Sequence, residues 1–129
     1  MRHETWLDAA PASARQARAI VREAATKAGL NGDCTWDLML ATTEAVANAV
    51  QHGKAWPNEC ILLTTEPCEG GLRVEIADCG SFDSDFEPAT VDSITGRGIP
   101  IIAAMVDRLE VLNGNGRTRV RFEKHADAA

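Results

Sequence analysis

Residues 38–53 read LMLATTEAVANAVQHG, and their apolar members are dense enough for a helix buried along much of its surface. Set into that run are Glu44, Asn48 and His52, spaced i, i+4, i+8. This spacing places a carboxylate, a carboxamide and an imidazole in one row on one helix face. Two readings stand at this point. The row is either an exposed polar stripe on a half-buried helix, or the wall of a site in which a base and a metal-binding oxygen face a ligand.

Working outward, Asp33 or Thr35 can cap this helix, which is expected to begin near Trp36 and to stop at His52–Gly53, with Pro57 as a second stop. Upstream, an Ala-rich stretch from Ala12 to about Ala28 reads as a first helix with Gly29 as its stop. Arg15, Arg18 and Arg22 form a basic row on it, either a solvated face or a docking strip for an acidic partner. Residues 3–7 (HETWL) suit a short edge strand with Trp6 packing inward.

Downstream, residues 59–66 (ECILLTTE) and 72–77 (LRVEIA) read as two strands joined at Glu69-Gly70-Gly71. Leu72, Val74 and Ile76 share one face, and continued alternation puts Asp78 on that side. A carboxylate there needs a satisfying donor, from a ligand or from a turn at Asp78-Cys79-Gly80. Residues 81–95 are polar and acidic without helical periodicity, and read as a flexible connection or lid. They lead to Gly96-Arg97-Gly98, ahead of an apolar stretch in which Pro100 fits a first helical turn. The glycines are either a plain hinge or a phosphate-binding approach to a helix N-terminus. The chain closes as a hairpin of residues 108–112 and 117–124, in which Thr118, Val120 and Phe122 alternate with Arg117, Arg119 and Arg121. Thr118 is thus a hydroxyl on the apolar side.

Composition narrows the classes. The 129 residues suffice for one domain with a core of its own, and neither an internal repeat nor a second domain is evident. Thirteen basic against nineteen acidic residues give a formal charge of −6, which argues against nucleic-acid or anionic-membrane binding. The four cysteines form no C-x-x-C and have no histidine at a ligand-like spacing, so a structural zinc site is not expected. No signal-peptide core or membrane-length apolar run is seen, and a cytoplasmic protein with reduced thiols is the expectation.

Glu44-x-x-x-Asn48, Asp78-x-Gly80, Gly96-Arg97-Gly98 before a helix and Gly116-Arg117-Thr118 occur in this order. Together they resemble the GHKL (Bergerat) ATP-binding fold of histidine kinases and gyrase. Within it the chain resembles the small anti-sigma-factor serine/threonine kinases of the RsbW and SpoIIAB type. The resemblance implies an α/β two-layer sandwich, with a mixed, mainly antiparallel sheet and helices on one face. It implies a single ATPase domain over residues 1–129 with a lid at about 81–98.

The resemblance also implies roles. Asn48 would bind Mg²⁺, and Glu44 would take the proton of an attacking serine. Asp78 would accept from the adenine amine, with Gly80 beside the base. Gly96, Arg97 and Gly98 would meet the phosphates, and Thr118 would complete the adenine side. His52 is held only as an edge residue. The implied activity is phosphorylation by Mg-ATP of a STAS-type anti-anti-sigma antagonist, with a sigma factor as the exchanged partner. Homodimer pairing through the first helix and edge strand is a further implication. The alternatives are a nucleotide-gated or inactive sequestering module, and a switch kinase acting on a scaffold without binding a sigma factor. One departure stands out: the family's D-x-G-x-G is here Asp78-Cys79-Gly80-Ser81-Phe82.

Overall fold

A computed structural model describes residues 1–52, 60–78, 87–88, 99–114 and 117–126, and the side chains of these except at 51, 52, 78, 87, 88, 113, 114, 117 and 118. The elements in chain order are β1 (His3–Asp8), α1 (Ser13–Lys27), α2 (Gly32–His52), β2 (Cys60–Cys68), β3 (Gly71–Asp78), β4 (Glu87–Pro88), α3 (Ile99–Met105), β5 (Arg108–Gly114) and β6 (Arg117–His125). The strands form one sheet in the order β1-β2-β3-β6-β5-β4, and every described pairing is antiparallel. Helices pack on one face of it, giving the expected two-layer α/β sandwich.

Strand parity divides the sheet. Ile61 and Leu63 of β2, Leu72, Val74 and Ile76 of β3, Val111 of β5, and Val120 and Phe122 of β6 are buried against the helices. The helices answer with Ala17, Val21 and Ala25 of α1, Leu38, Ala41, Ala45, Val46 and Ala49 of α2, and Ile99 and Ile102 of α3. Alanines at the helix contacts let α1 and α2 lie close together. Burying one of the larger side chains contributes about 2 kcal/mol, so this single core carries the fold. The opposite sheet face is a ladder of charges. Arg73 meets Glu123 at 2.9 Å and Glu66 at 3.7 Å, and Glu75 receives Arg121 at 3.0 Å and Arg119 at 3.6 Å. Such exposed or half-exposed pairs contribute little individually. Their alternating signs fix which strand lies beside which.

Three local expectations are corrected. Trp6 does not pack inward: it pairs with Leu62 on the outer face and is 55% exposed, because Leu7 takes the inward position at 3%. The central helix starts earlier than Trp36, and its cap is Asn31, whose Oδ1 accepts from the Cys34 amide at 2.8 Å. The cysteines are not all reduced. Cys60 is disulfide-bonded, while Cys34 and Cys68 are in no disulfide. Cys60 opens β2 beside the end of β3, where Ile61 faces Asp78, so hairpin register rather than sequence spacing determines what it meets. Among the described residues no helix is long and apolar enough to cross a membrane.

The C-terminal strand is tied down from both sides. The Lys124 ammonium donates to the Met105 carbonyl at 3.0 Å and pairs with Asp37 at 3.1 Å, joining β6 to α3 and α2. Burial is the largest single influence and opposes that charge, but the Asp37 hydrogen bond and the negative charges of Asp37 and Asp107 together outweigh it and raise the Lys124 pKa above the ordinary lysine value. This stabilisation is complete below the unfolded lysine pKa and is lost as pH climbs through the folded value. At the same end Gly71 lies so close to β6 that a Cβ would collide with the Lys124 carbonyl and lie 2.8 Å from the His125 Cα. A Gly71→Ala substitution is therefore expected to destabilise the fold by about 1–3 kcal/mol, through forced displacement of β6. Thermal unfolding of the two proteins checks this, and an unchanged Tm would contradict the close approach.

Candidate nucleotide site

The buried face of α2 is built from Cys34, Leu38, Ala41, Thr42, Ala45, Val46, Asn48 and Ala49. Asn48 is the one carboxamide among them, 3% exposed in the midst of alanines and valines. Its Oδ1 is buried and accepts no hydrogen bond among the described residues. Thr42 is also buried, but it is satisfied locally, its hydroxyl donating to the Leu38 carbonyl at 2.7 Å. A buried amide oxygen without a donor costs about 1–3 kcal/mol, so Asn48 is not there for the stability of the ligand-free fold. It is a hard oxygen with a free lone pair, which suits a divalent cation of the magnesium class.

Glu44 lies one turn earlier and is half-buried, at the margin of the same helix face. On the far side of the margin Thr43 accepts from the Arg18 guanidinium at 3.1 Å and donates to the Met39 carbonyl at 2.9 Å. Arg18 is thus turned onto α2, whereas Arg15 and Arg22 of the same row remain exposed. The polar row of α2 is therefore graded: Asn48 is buried, Glu44 is half-buried, and His52 is the last helical residue, its side chain outside the described set.

Of the other expected residues, Asp78 and Thr118 lie on β3 and β6, the strands on which α2 packs. The β3–β6 register runs from Gly71↔His125 to Ala77↔Arg119. Asp78 and Thr118 are the next residues on these neighbouring strands, so two positions distant in sequence meet at one end of the sheet. Their side chains are outside the described set. So are Gly80, Gly96, Arg97 and Gly98 and most of the lid, of which the two-residue β4 pairs with Leu112 and Asn113 of β5. α3 begins at Ile99, immediately after Gly98, and Ile99 and Ile102 enter the core that holds Ala45 and Ala49. Glu44 and Asn48 thus lie on α2, which packs on β3 and β6, the strands that carry Asp78 and Thr118, and the chain after Gly98 returns beside α2 as α3.

This arrangement has known counterparts. The family pattern of the histidine kinase-like ATPase domain matches residues 7–124. The chain belongs to that family. Among solved structures it is similar to the RsbU and RsbW domains of Rv1364c from Mycobacterium tuberculosis, with a TM-score of 0.76 and 23% identity. That similarity covers 100% of this chain and 33% of the other, so the chain spans about a third of that protein's solved length. At this identity the likeness speaks for the fold. Family membership makes ATP the nucleotide for which the domain is built, and Asn48 is a described residue of α2 whose buried polar atom has no partner there.

An Asn48→Leu variant of the nucleotide-free protein is accordingly expected to be as stable as wild type or slightly more so, since an orphaned polar oxygen is replaced by apolar surface of similar volume. A loss of more than about 2 kcal/mol in denaturant unfolding would show that Asn48 has a structural partner instead.

Proposed function

We propose that this chain is an ATP-dependent serine/threonine protein kinase of the anti-sigma-factor type, a single ATPase domain over residues 1–129 with its lid at about 81–98. Its substrate on this reading is a STAS-type anti-anti-sigma antagonist in the cytoplasm. Exchange between antagonist and sigma factor would regulate transcription. The observation that carries the reading is the unpartnered Oδ1 of Asn48, buried one turn from Glu44 in a histidine kinase-like ATPase domain. The fold likeness to a structure containing an RsbW domain supports the choice of subgroup.

Asn48 would hold Mg²⁺ through Oδ1, and the ion supplies charge neutralisation on the transferring phosphoryl group. Asp78 would accept from the adenine amine, Gly80 would admit the base edge, and Thr118 would close that side. Gly96, Arg97 and Gly98 would surround the phosphates, their amides and guanidinium offsetting developing negative charge. Glu44 would accept the proton from the substrate serine as the serine oxygen bonds to the γ-phosphorus. The bond from that phosphorus to the bridging oxygen breaks, and ADP departs with the electron pair. Positioning and electrostatics thus do most of the work, as in other phosphoryl transfers. Arg15 and Arg22, exposed on α1, are suited to steering an acidic partner toward the site.

Phosphate transfer from radiolabelled ATP to a purified STAS-domain protein tests this reading. Wild type is expected to label a serine. Glu44→Ala is expected to bind nucleotide as wild type does while losing roughly 10²–10⁴-fold in transfer rate. Equal rates in the two proteins would remove Glu44 from the role of base. No transfer by a wild type that binds nucleotide would make the chain a sequestering module.

A further inference from the structure

On the outer face of the sheet, away from α2, three metal-ligating side chains converge. Cys68 ends β2, and Glu123 and His125 lie near the end of β6. His125 Nε2 is 3.0 Å from Glu123 Oε1, and Cys68 Sγ is 3.8 Å from the same oxygen. All three donor atoms lie within 4.8 Å of one another. Each is half-buried, so the cluster is reachable from solvent yet held by its surroundings.

The register explains the meeting. Cys68 faces Gly71, and Gly71 faces His125, so the thiol and the imidazole flank one residue of β3. That residue has no side chain to stand between them. Arg73, one step along the same face, donates from Nε to Glu123 Oε2 at 2.9 Å. This bond turns the other carboxylate oxygen, Oε1, toward Cys68 and His125, as an outer-shell partner of a metal ligand commonly does. The guanidinium charge opposes a cation, but Glu66 at 3.7 Å partly offsets it. The backbone here is fixed as well: the His125 amide donates to Asp107 Oδ2 at 2.7 Å, and the Ala126 amide to the Gly70 carbonyl at 2.7 Å.

We propose that Cys68, Glu123 and His125 form a site for a thiophilic divalent cation, zinc by its ligand chemistry. Tetrahedral zinc, with bonds of about 2.0–2.3 Å, places its donors roughly 3.3–3.6 Å apart, within reach of these groups by small side-chain rotations. Thiolate with imidazole selects zinc over magnesium or calcium, which favour all-oxygen sets. On binding, the thiol proton passes to solvent and Nε2 serves as the imidazole's lone-pair donor. Three protein ligands leave the fourth position to water. The absence of any zinc-like spacing in the sequence is no obstacle, because cross-strand pairing brings residues 68 and 125 together. The site is separate from the candidate nucleotide site. It lies on the other face of the sheet, at the Gly71 end of β3, and at about 3.3 Å per residue the eight residues of that strand carry Asp78 roughly 23 Å away. Its effect would be to clamp the end of β6 to the β2–β3 hairpin.

Titration of the full chain with Co²⁺ as a zinc surrogate, under anaerobic conditions with the Cys60 disulfide intact and without nucleotide, tests the proposal. Wild type is expected to take up one equivalent, with tetrahedral d–d bands and a thiolate-to-cobalt charge-transfer band, both removed by Zn²⁺. Cys68→Ser and His125→Ala are expected to lose the charge-transfer band or weaken binding at least tenfold. His3→Ala is expected to behave as wild type. Zinc should raise the Tm of wild type and leave that of His125→Ala unmoved. A wild type with no charge-transfer band, or a band that survives in Cys68→Ser, would overturn the assignment.

Discussion

The contact of α2 with β3 and β6 is the constraint on which the rest of the molecule depends. Small residues on that helix, Ala41, Ala45 and Ala49, let it approach the sheet, while Leu38 and Val46 fill the space beside Val74, Ile76, Val120 and Phe122. A face this apolar has no reason of its own to include a carboxamide, yet Asn48 is buried in it. A fold tolerates such a residue when something else is gained, because a buried, unpaired oxygen weakens it. On the proposed reading, the same contact that makes the core makes the site, and a helix that shifted to satisfy Asn48 would lose both.

Sheet parity carries this division outward. One face of β2, β3 and β6 is committed to the helices, so charged residues collect on the other, where Arg73, Glu75, Arg119, Arg121 and Glu123 form cross-strand pairs. Nucleotide chemistry is assigned to the margin of the helical layer. The Cys68, Glu123 and His125 cluster belongs to the opposite face and the opposite end. Two distinct environments arise from one alternation of apolar and polar residues.

Much of this was legible in the sequence because it is local. The alternation marked Leu72, Val74, Ile76, Val120 and Phe122 as side chains that enter the core, and the run around Glu44 and Asn48 marked the central helix with its unusual polar row. The fold class followed from the order of four short motifs. What escaped depends on neighbours distant in the chain or on close competition between adjacent residues. Trp6 and Leu7 both suit an inward position, and only pairing with β2 decides between them. The start of α2 at Gly32 rests on Asn31 as a cap, three residues before a cysteine amide that no pattern highlights. Spacing rules for cysteine say nothing about Cys60 in its disulfide or about Cys68 beside His125, since both follow from strand register. Asp78 and Thr118 were placed in the site by resemblance, and the register brings their backbones together at one end of β3 and β6.

Calorimetric titration of the purified chain with Mg-ATP and Mg-ADP, on wild type and on Asn48→Ala, tests the central claim most directly. Saturable binding by wild type that collapses in a folded Asn48→Ala protein is the result this account predicts. Binding of equal strength in the two proteins, or no binding by wild type at millimolar nucleotide, would contradict it.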